Sequence, residues 1–180
     1  MLNSLKLGRF ERREATGRHS DIFFASGAST PTASIPTSGT AHYVGVIAGQ
    51  YFPSEAGGTG FTYMYGVGGT VDLTVDFAAH SVTGSFHATA RKSTDNNLVD
   101  MGVFPITGGT IDANGVIAAT LATNPNSYYI YLRGGLSGRV YGATAGELGL
   151  QAAFRTCHYC FAGTLDSYDA FDAAGAASRR

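Results

Sequence analysis

Two cysteines three positions apart form the sharpest chemical motif of this 180-residue chain. Cys157 and Cys160 make a single C-x-x-C pair, whereas a structural zinc site normally has four ligands. The chain has five histidines, namely His19, His42, His80, His87 and His158. None is spaced as a second ligand pair, so we expect no metal. A redox role needs the first cysteine at a helix start, and here the motif lies between predicted strands. A disulfide and a pair of unbridged thiols both stay open.

Two aspartates are the best candidates for acid–base chemistry. In TVDLTVDF (70–77), Asp72 and Asp76 share one face of a predicted strand, as paired catalytic carboxylates could. Strict alternation with apolar residues is more typical of the solvated face of a sheet. The chain has no G-x-S-x-G, H-E-x-x-H or Walker motif. The glycine-rich segment 66–69 precedes a strand rather than a helix, so it is not a phosphate loop. We therefore expect no enzyme and no cofactor.

Aromatic side chains cluster in segments between the predicted strands. Tyrosine combines a large contact area with a polar tip, which suits a recognition surface. Long connections are often functional, and those at 50–69 and 88–102 are long. The candidate ligand-contact residues are Tyr51, Phe52, Phe61, Tyr63, Tyr65, Tyr128, Tyr129 and Tyr131. The alternative is that FTYMY (61–65) and YYIYL (128–132) are short strands whose tyrosines pack on a barrel wall.

Composition and turn signals predict an all-β fold. The chain is 44% hydrophobic and only 14% charged, with 25 glycines, 10 tyrosines and 11 phenylalanines, which is typical of a sandwich or barrel. Asn114-Gly115 supplies the positive φ angles of a tight hairpin. The predicted strands are 40–49, 70–77, 81–88, 106–112, 116–122, 136–142, 148–154 and 161–165. About eight antiparallel strands indicate one small barrel.

The sequence has a distinct segment before the predicted barrel and another after it. We expect an extended leader or linker over residues 1–38, the barrel over 39–168, and a flexible tail over 169–180. Five of the twelve Lys and Arg residues lie in the first 18 positions, as in a basic arm or a contact segment. The net charge of −1 argues against a nucleic-acid partner. No run approaches the ~20 apolar residues of a membrane helix. The start of the chain contains neither a signal peptide nor a lipobox.

The order of the motifs resembles a bacterial family, the β-barrel domain of transferrin-binding protein B and related surface lipoproteins. The resemblance covers roughly residues 38–166. It is carried by the hairpin GGTVDLTVDFAAHSVTGSF (68–86), by LSGRVYGATAGELGLQAAF (136–154) and by FAGTL (161–165). Within these segments the matching positions are Asp76, Phe77, Val82 and Gly84, followed by Tyr141, Gly142, Glu147, Leu148 and Gly149.

The resemblance implies an eight-stranded barrel on the cell surface or outer membrane that binds without catalysis. Its ligand would be a protein or a small molecule contacted by the aromatic loops. Transferrin itself is not the expected ligand, because the sequence has one barrel and no companion handle domain. The competing interpretation is a structural subunit of a homo- or hetero-oligomer, with residues 1–38 as an inter-subunit arm.

Overall fold

The structure, a computed structural model, describes residues 5–13, 19–52, 64–92, 96–122, 130–157 and 169–180. It is all-β, and the one helical element in the described residues is a 3-10 turn at Thr32–Ser34. No helix in these ranges has the length or the apolar character to cross a membrane. The described ranges contain ten strands: β1 (Leu5–Arg13), β2 (His19–Gly27), β3 (Thr40–Phe52), β4 (Tyr65–Asp76), β5 (Ser81–Lys92), β6 (Leu98–Ile111), β7 (Val116–Leu121), β8 (Ile130–Tyr141), β9 (Glu147–Cys157) and β10 (Asp169–Arg179).

Eight of these strands close an antiparallel barrel in the order β10-β3-β4-β5-β6-β7-β8-β9. The alternating pattern explains which side chains face inward: Val71, Leu73 and Val75 of β4 are buried in the core, while Asp72 between them is exposed. The prediction of an all-β, eight-stranded antiparallel barrel is confirmed.

The strand that closes the barrel is β10, and it lies where the sequence predicts a flexible tail. Residues 169–179 pair with β3 on one side and with β9 on the other, so the tail prediction is wrong. The predicted last strand, 161–165, lies outside the described residues. Strand β10 lacks the usual apolar signal because five of its eleven residues are alanine. A Cβ built at Gly45 of β3 would run into the carbonyl oxygen of Ala176, so Gly45 has no room for a side chain beside β10.

A second difference lies in the predicted leader, which contains a hairpin. Strands β1 and β2 pair from Leu5–Gly27 to Arg13–His19 as a separate two-stranded sheet. One face of this hairpin packs on the outside of the barrel, since Leu5 and Phe23 are buried and Gln50 of β3 donates its Nε2 to Asp21. The sequence of β1 shows only a broken alternation, which hides the strand. Apart from the tail, the division into a segment 1–38 and a barrel from residue 39 stays a prediction.

The two ends of the barrel differ. We call the end with the tight turns 77–80, 112–115 and 142–146 the turn end, and the end where β3 finishes and β4 begins the rim. Ile35 contributes to the core near the turn end, against Gly115. There Tyr43 donates its hydroxyl to the carbonyl of Ala145 at 2.6 Å, and burial raises the pKa of Tyr43 to about 12. Thr30 Oγ1 also donates to the carbonyl of Gly142 at 2.8 Å. Hydrogen bonds from side-chain hydroxyls to backbone carbonyls therefore stabilise the turn end.

Candidate binding site at the rim of the barrel

The middle of the barrel is filled by a stack of four phenylalanine rings. Phe86 lies 4.8 Å from Phe104 between ring centroids, Phe104 lies 4.9 Å from Phe154, and Phe154 lies 4.0 Å from Phe171. All four side chains are buried. Small eight-stranded barrels either fill their interior in this way or hold one ligand. The rings occupy the space in which an internal ligand would lie, which leaves the outer surfaces of the barrel as candidate binding sites.

Three of the predicted contact residues lie at the rim within the described ranges. Tyr51 at the end of β3 is paired with Tyr65 at the start of β4, and their rings meet edge to face at 5.7 Å. Tyr51 is 3% exposed and belongs to the core, whereas Tyr65 is half-buried and packs against it. Phe52 has the opposite orientation along β3 and is also half-buried. Contact of Phe52 and Tyr65 with a ligand stays a prediction, as it does for the buried Tyr51.

The other predicted contact residues cannot be placed with the same detail. Phe61, Tyr63, Tyr128 and Tyr129 lie outside the described residues, and Tyr131 is described only as a backbone position of β8. Cys157 is the last residue of β9, but Cys160 lies outside the described ranges. Both the aromatic contacts and the disulfide stay predictions.

The two aspartates of β4 do not form a catalytic pair. Asp76 accepts hydrogen bonds from the backbone N–H groups of Ala78 and Ala79, each at 2.9 Å, and so shapes the turn after β4. Asp72 instead lies 2.7 Å from His42 Nε2 on the neighbouring strand. This agrees with the solvated-face interpretation.

Cross-strand pairing also creates a second histidine–aspartate pair, between His87 of β5 and Asp100 of β6 at 2.7 Å. The backbone N–H of Gly102 and the hydrogen bond from His87 together hold the pKa of Asp100 below its usual value. Within the described ranges, no group of three or more His, Cys, Asp and Glu residues could hold a metal ion. The sequence did not predict either histidine–aspartate pair, because the partners lie 30 and 13 positions apart and meet only through the pairing of their strands.

The fold defines a class of protein: a closed antiparallel barrel with a filled core. The family described as the C-lobe and N-lobe beta barrels of Tf-binding protein B matches residues 35–178, and the chain belongs to this family. No curated protein matches the chain. The predicted resemblance is thereby confirmed.

Solved structures share the fold at low sequence identity. A mutant of transferrin binding protein B from Haemophilus parasuis Hp5 matches with a TM-score of 0.62 and 20% identity, over 99% of this chain and 33% of that one. The isotype 1 protein from serogroup B Neisseria meningitidis matches with a TM-score of 0.61 and 19% identity, over 99% and 32%. A surface lipoprotein matches with a TM-score of 0.52 and 14% identity, over 99% and 77%. This chain thus spans about one third of the length of the two transferrin binding proteins.

Proposed function

We propose that this chain is a non-catalytic binding module at the cell surface, and that it contacts a protein partner at the rim. Membership of the barrel family of Tf-binding protein B supports a binding role. The observation that carries the proposal is the phenylalanine stack, which leaves the outer surfaces for recognition. At the rim, Phe52 and Tyr65 offer partly exposed rings, and aromatic side chains are common anchors of protein interfaces.

A capture experiment with matched variants tests this proposal. The immobilised wild-type chain, a Phe52→Ala/Tyr65→Ala variant and a Val116→Ala control at the turn end are each exposed to serum. We expect the wild type and the control to retain one serum protein that the rim variant loses. Equal capture by all three proteins, or no capture above the bare resin, would contradict binding at the rim.

Purified transferrin is a separate analyte in the same experiment, because the names of two solved relatives include transferrin binding. Binding of transferrin to the wild type that is lost in the rim variant would correct the expectation that transferrin is not the ligand. Retention of a different protein with the same variant pattern would support the proposal with another partner.

A second candidate function, an assembly subunit, is favoured by the outer face of the hairpin. Phe10 is 57% exposed and Ile22 50% exposed, and the two are paired across β1 and β2. Such a patch can bind a second copy. Sedimentation of the chain and of a Phe10→Ser/Ile22→Ser variant tests this function. A wild-type oligomer that the variant converts to monomer would support it, whereas a wild-type monomer would exclude it.

A further inference from the structure

The turn between β6 and β7 contains a chemically reactive pair, Asn114 followed directly by Gly115. The backbone nitrogen of the glycine can attack the side-chain amide carbon of the asparagine, and the glycine has no side chain to obstruct the approach. Asparagine is among the thermolabile residues of proteins. Asn114 is the one asparagine in the sequence that precedes a glycine.

The fold requires the glycine of this pair. Gly115 has a φ of +72°, a left-handed conformation that residues with a side chain rarely adopt. A Cβ built on it would run into Val140 Cγ2 and would lie 3.0 Å from Ile35 Cδ1. A larger residue would therefore strain the turn and collide with the core, so the attacking nitrogen stays unprotected by a side chain.

The two reacting residues have different surroundings. Asn114 is exposed to water, whereas Gly115 is buried. The N–H of Gly115 donates to the carbonyl of Asp112 at 3.0 Å, and the carbonyl of Gly115 accepts the N–H of Val140 at 3.0 Å. The nitrogen must lose its proton and turn toward the asparagine side chain before it attacks, and both hydrogen bonds oppose this. The amide under attack is thus accessible, while the attacking nitrogen is held in place.

Two further residues hold the turn closed. Asp112 Oδ1 accepts the N–H of Asn114 at 2.9 Å and that of Val116 at 2.8 Å. Ile35, from the segment before β3, packs against Gly115. Removing either side chain should let the turn open more often, because local opening is governed by such contacts.

We propose that Asn114 is a site of spontaneous deamidation and that opening of the turn controls its rate. The Gly115 nitrogen loses its proton to water and bonds to Cγ of Asn114; the Cγ–Nδ2 bond breaks, and the amide nitrogen takes up a proton and leaves as ammonia. Water then opens the resulting succinimide at either of its carbonyls, which gives aspartate or isoaspartate. Either product places a second carboxylate beside that of Asp112, and like charges repel. Isoaspartate also lengthens the main chain, so the modified turn closes less well.

Incubation of the chain at mildly alkaline pH, folded and in urea, followed by fragment-ion mass spectrometry, tests this inference. We expect Asn114 to convert in both samples, at least about tenfold faster in urea, where the hydrogen bonds of the turn are absent. Asn97 precedes the branched Leu98, which hinders attack, and should convert far more slowly in urea. No conversion of Asn114 in urea, or equal rates in the folded and unfolded chain, would overturn the proposal.

Variants separate the closure of the turn from the intrinsic chemistry. Asp112→Ala and Ile35→Ala should each speed conversion of Asn114 in the folded chain by at least about threefold, and should match the wild type in urea. Leu98→Ala changes an exposed side chain of β6 at the rim and should leave the folded rate unchanged. Circular dichroism checks that each variant is folded. Folded-state rates of Asp112→Ala and Ile35→Ala equal to that of the wild type would show that the turn does not control the reaction.

Thermal melts before and after incubation test the effect of the modification on the turn. The incubated wild type should melt below the fresh protein, whereas Asn114→Gln, whose longer side chain does not form the succinimide, should melt unchanged. A wild type with converted Asn114 that melts like the fresh protein would contradict the weakened turn.

Discussion

Phe154 occupies a central place in the aromatic stack, between Phe104 at 4.9 Å and Phe171 at 4.0 Å. Replacing it with alanine removes a buried ring and leaves a cavity between its neighbours. Phe154→Ala should lower the free energy of unfolding by about 3–5 kcal/mol. Urea denaturation measures the change, with Phe52→Ala at the half-buried rim as control. A loss no larger than that of the control would show that the stack is not the centre of the core.

Asp112 contributes stability through the turn between β6 and β7. Its Oδ1 accepts the N–H of Val116 at 2.8 Å and that of Asn114 at 2.9 Å. These bonds, with that from Val116 the strongest, hold the pKa of Asp112 below its usual value. The resulting stability is present above the unfolded pKa and is lost as the pH falls through the lower folded pKa. Asp112→Ala should melt below wild type at about pH 7, and the gap should narrow at about pH 2. A gap that is independent of pH would exclude a role for the charge.

The pKa of Asp172 is shifted in the opposite direction to that of Asp112. Because burial raises its folded pKa, the native state holds the proton more tightly than the unfolded chain does. The destabilisation is absent below the unfolded pKa, grows as the pH rises, and is complete above the raised folded pKa. Asp172→Asn should therefore melt above wild type at about pH 7, with the difference vanishing at about pH 3. Thermal melts at both pH values check this, and an Asp172→Asn protein that melts lower at neutral pH would contradict it.

At the scale of elements, the hairpin depends on a glycine of the barrel wall. A Cβ built at Gly149 would lie 2.7 Å from Tyr141 Cε2 and 2.9 Å from Ala25 Cβ, with Leu5 Cδ1 at 3.2 Å. Gly149→Ala should push the hairpin outward and leave the barrel folded. Hydrogen exchange should then speed up in β1 and β2 and stay slow in β4. Matched exchange in β1 and β2 of variant and wild type would show that the hairpin does not need this close approach.

The elements differ in how far the sequence determines them locally. Strand β4 was predictable because Val71, Leu73 and Val75 alternate with polar residues, and the turn at Asn114-Gly115 because its chemistry is local. Strand β10 was not, because five of its eleven residues are alanine, which is depleted in strands.

At the scale of the whole molecule, hydrogen bonds and packing stabilise the turn end of the barrel, and aromatic residues lie at the rim. Ile35, Tyr43 and Thr30 secure the turn end, while Tyr51 and Tyr65 close the core beneath the rim. The core comes from alternation along each strand, which the sequence carries directly. The rim is made by residues from separate strands, so its arrangement becomes visible only in the closed barrel.

Hydrogen exchange of the chain with its captured serum protein tests recognition at the rim most directly. We expect slower exchange at the rim ends of β3 and β4, in peptides that contain Phe52 and Tyr65, and unchanged exchange in the turns at 77–80 and 112–115. Protection confined to the turn end or to the outer face of the hairpin would contradict it.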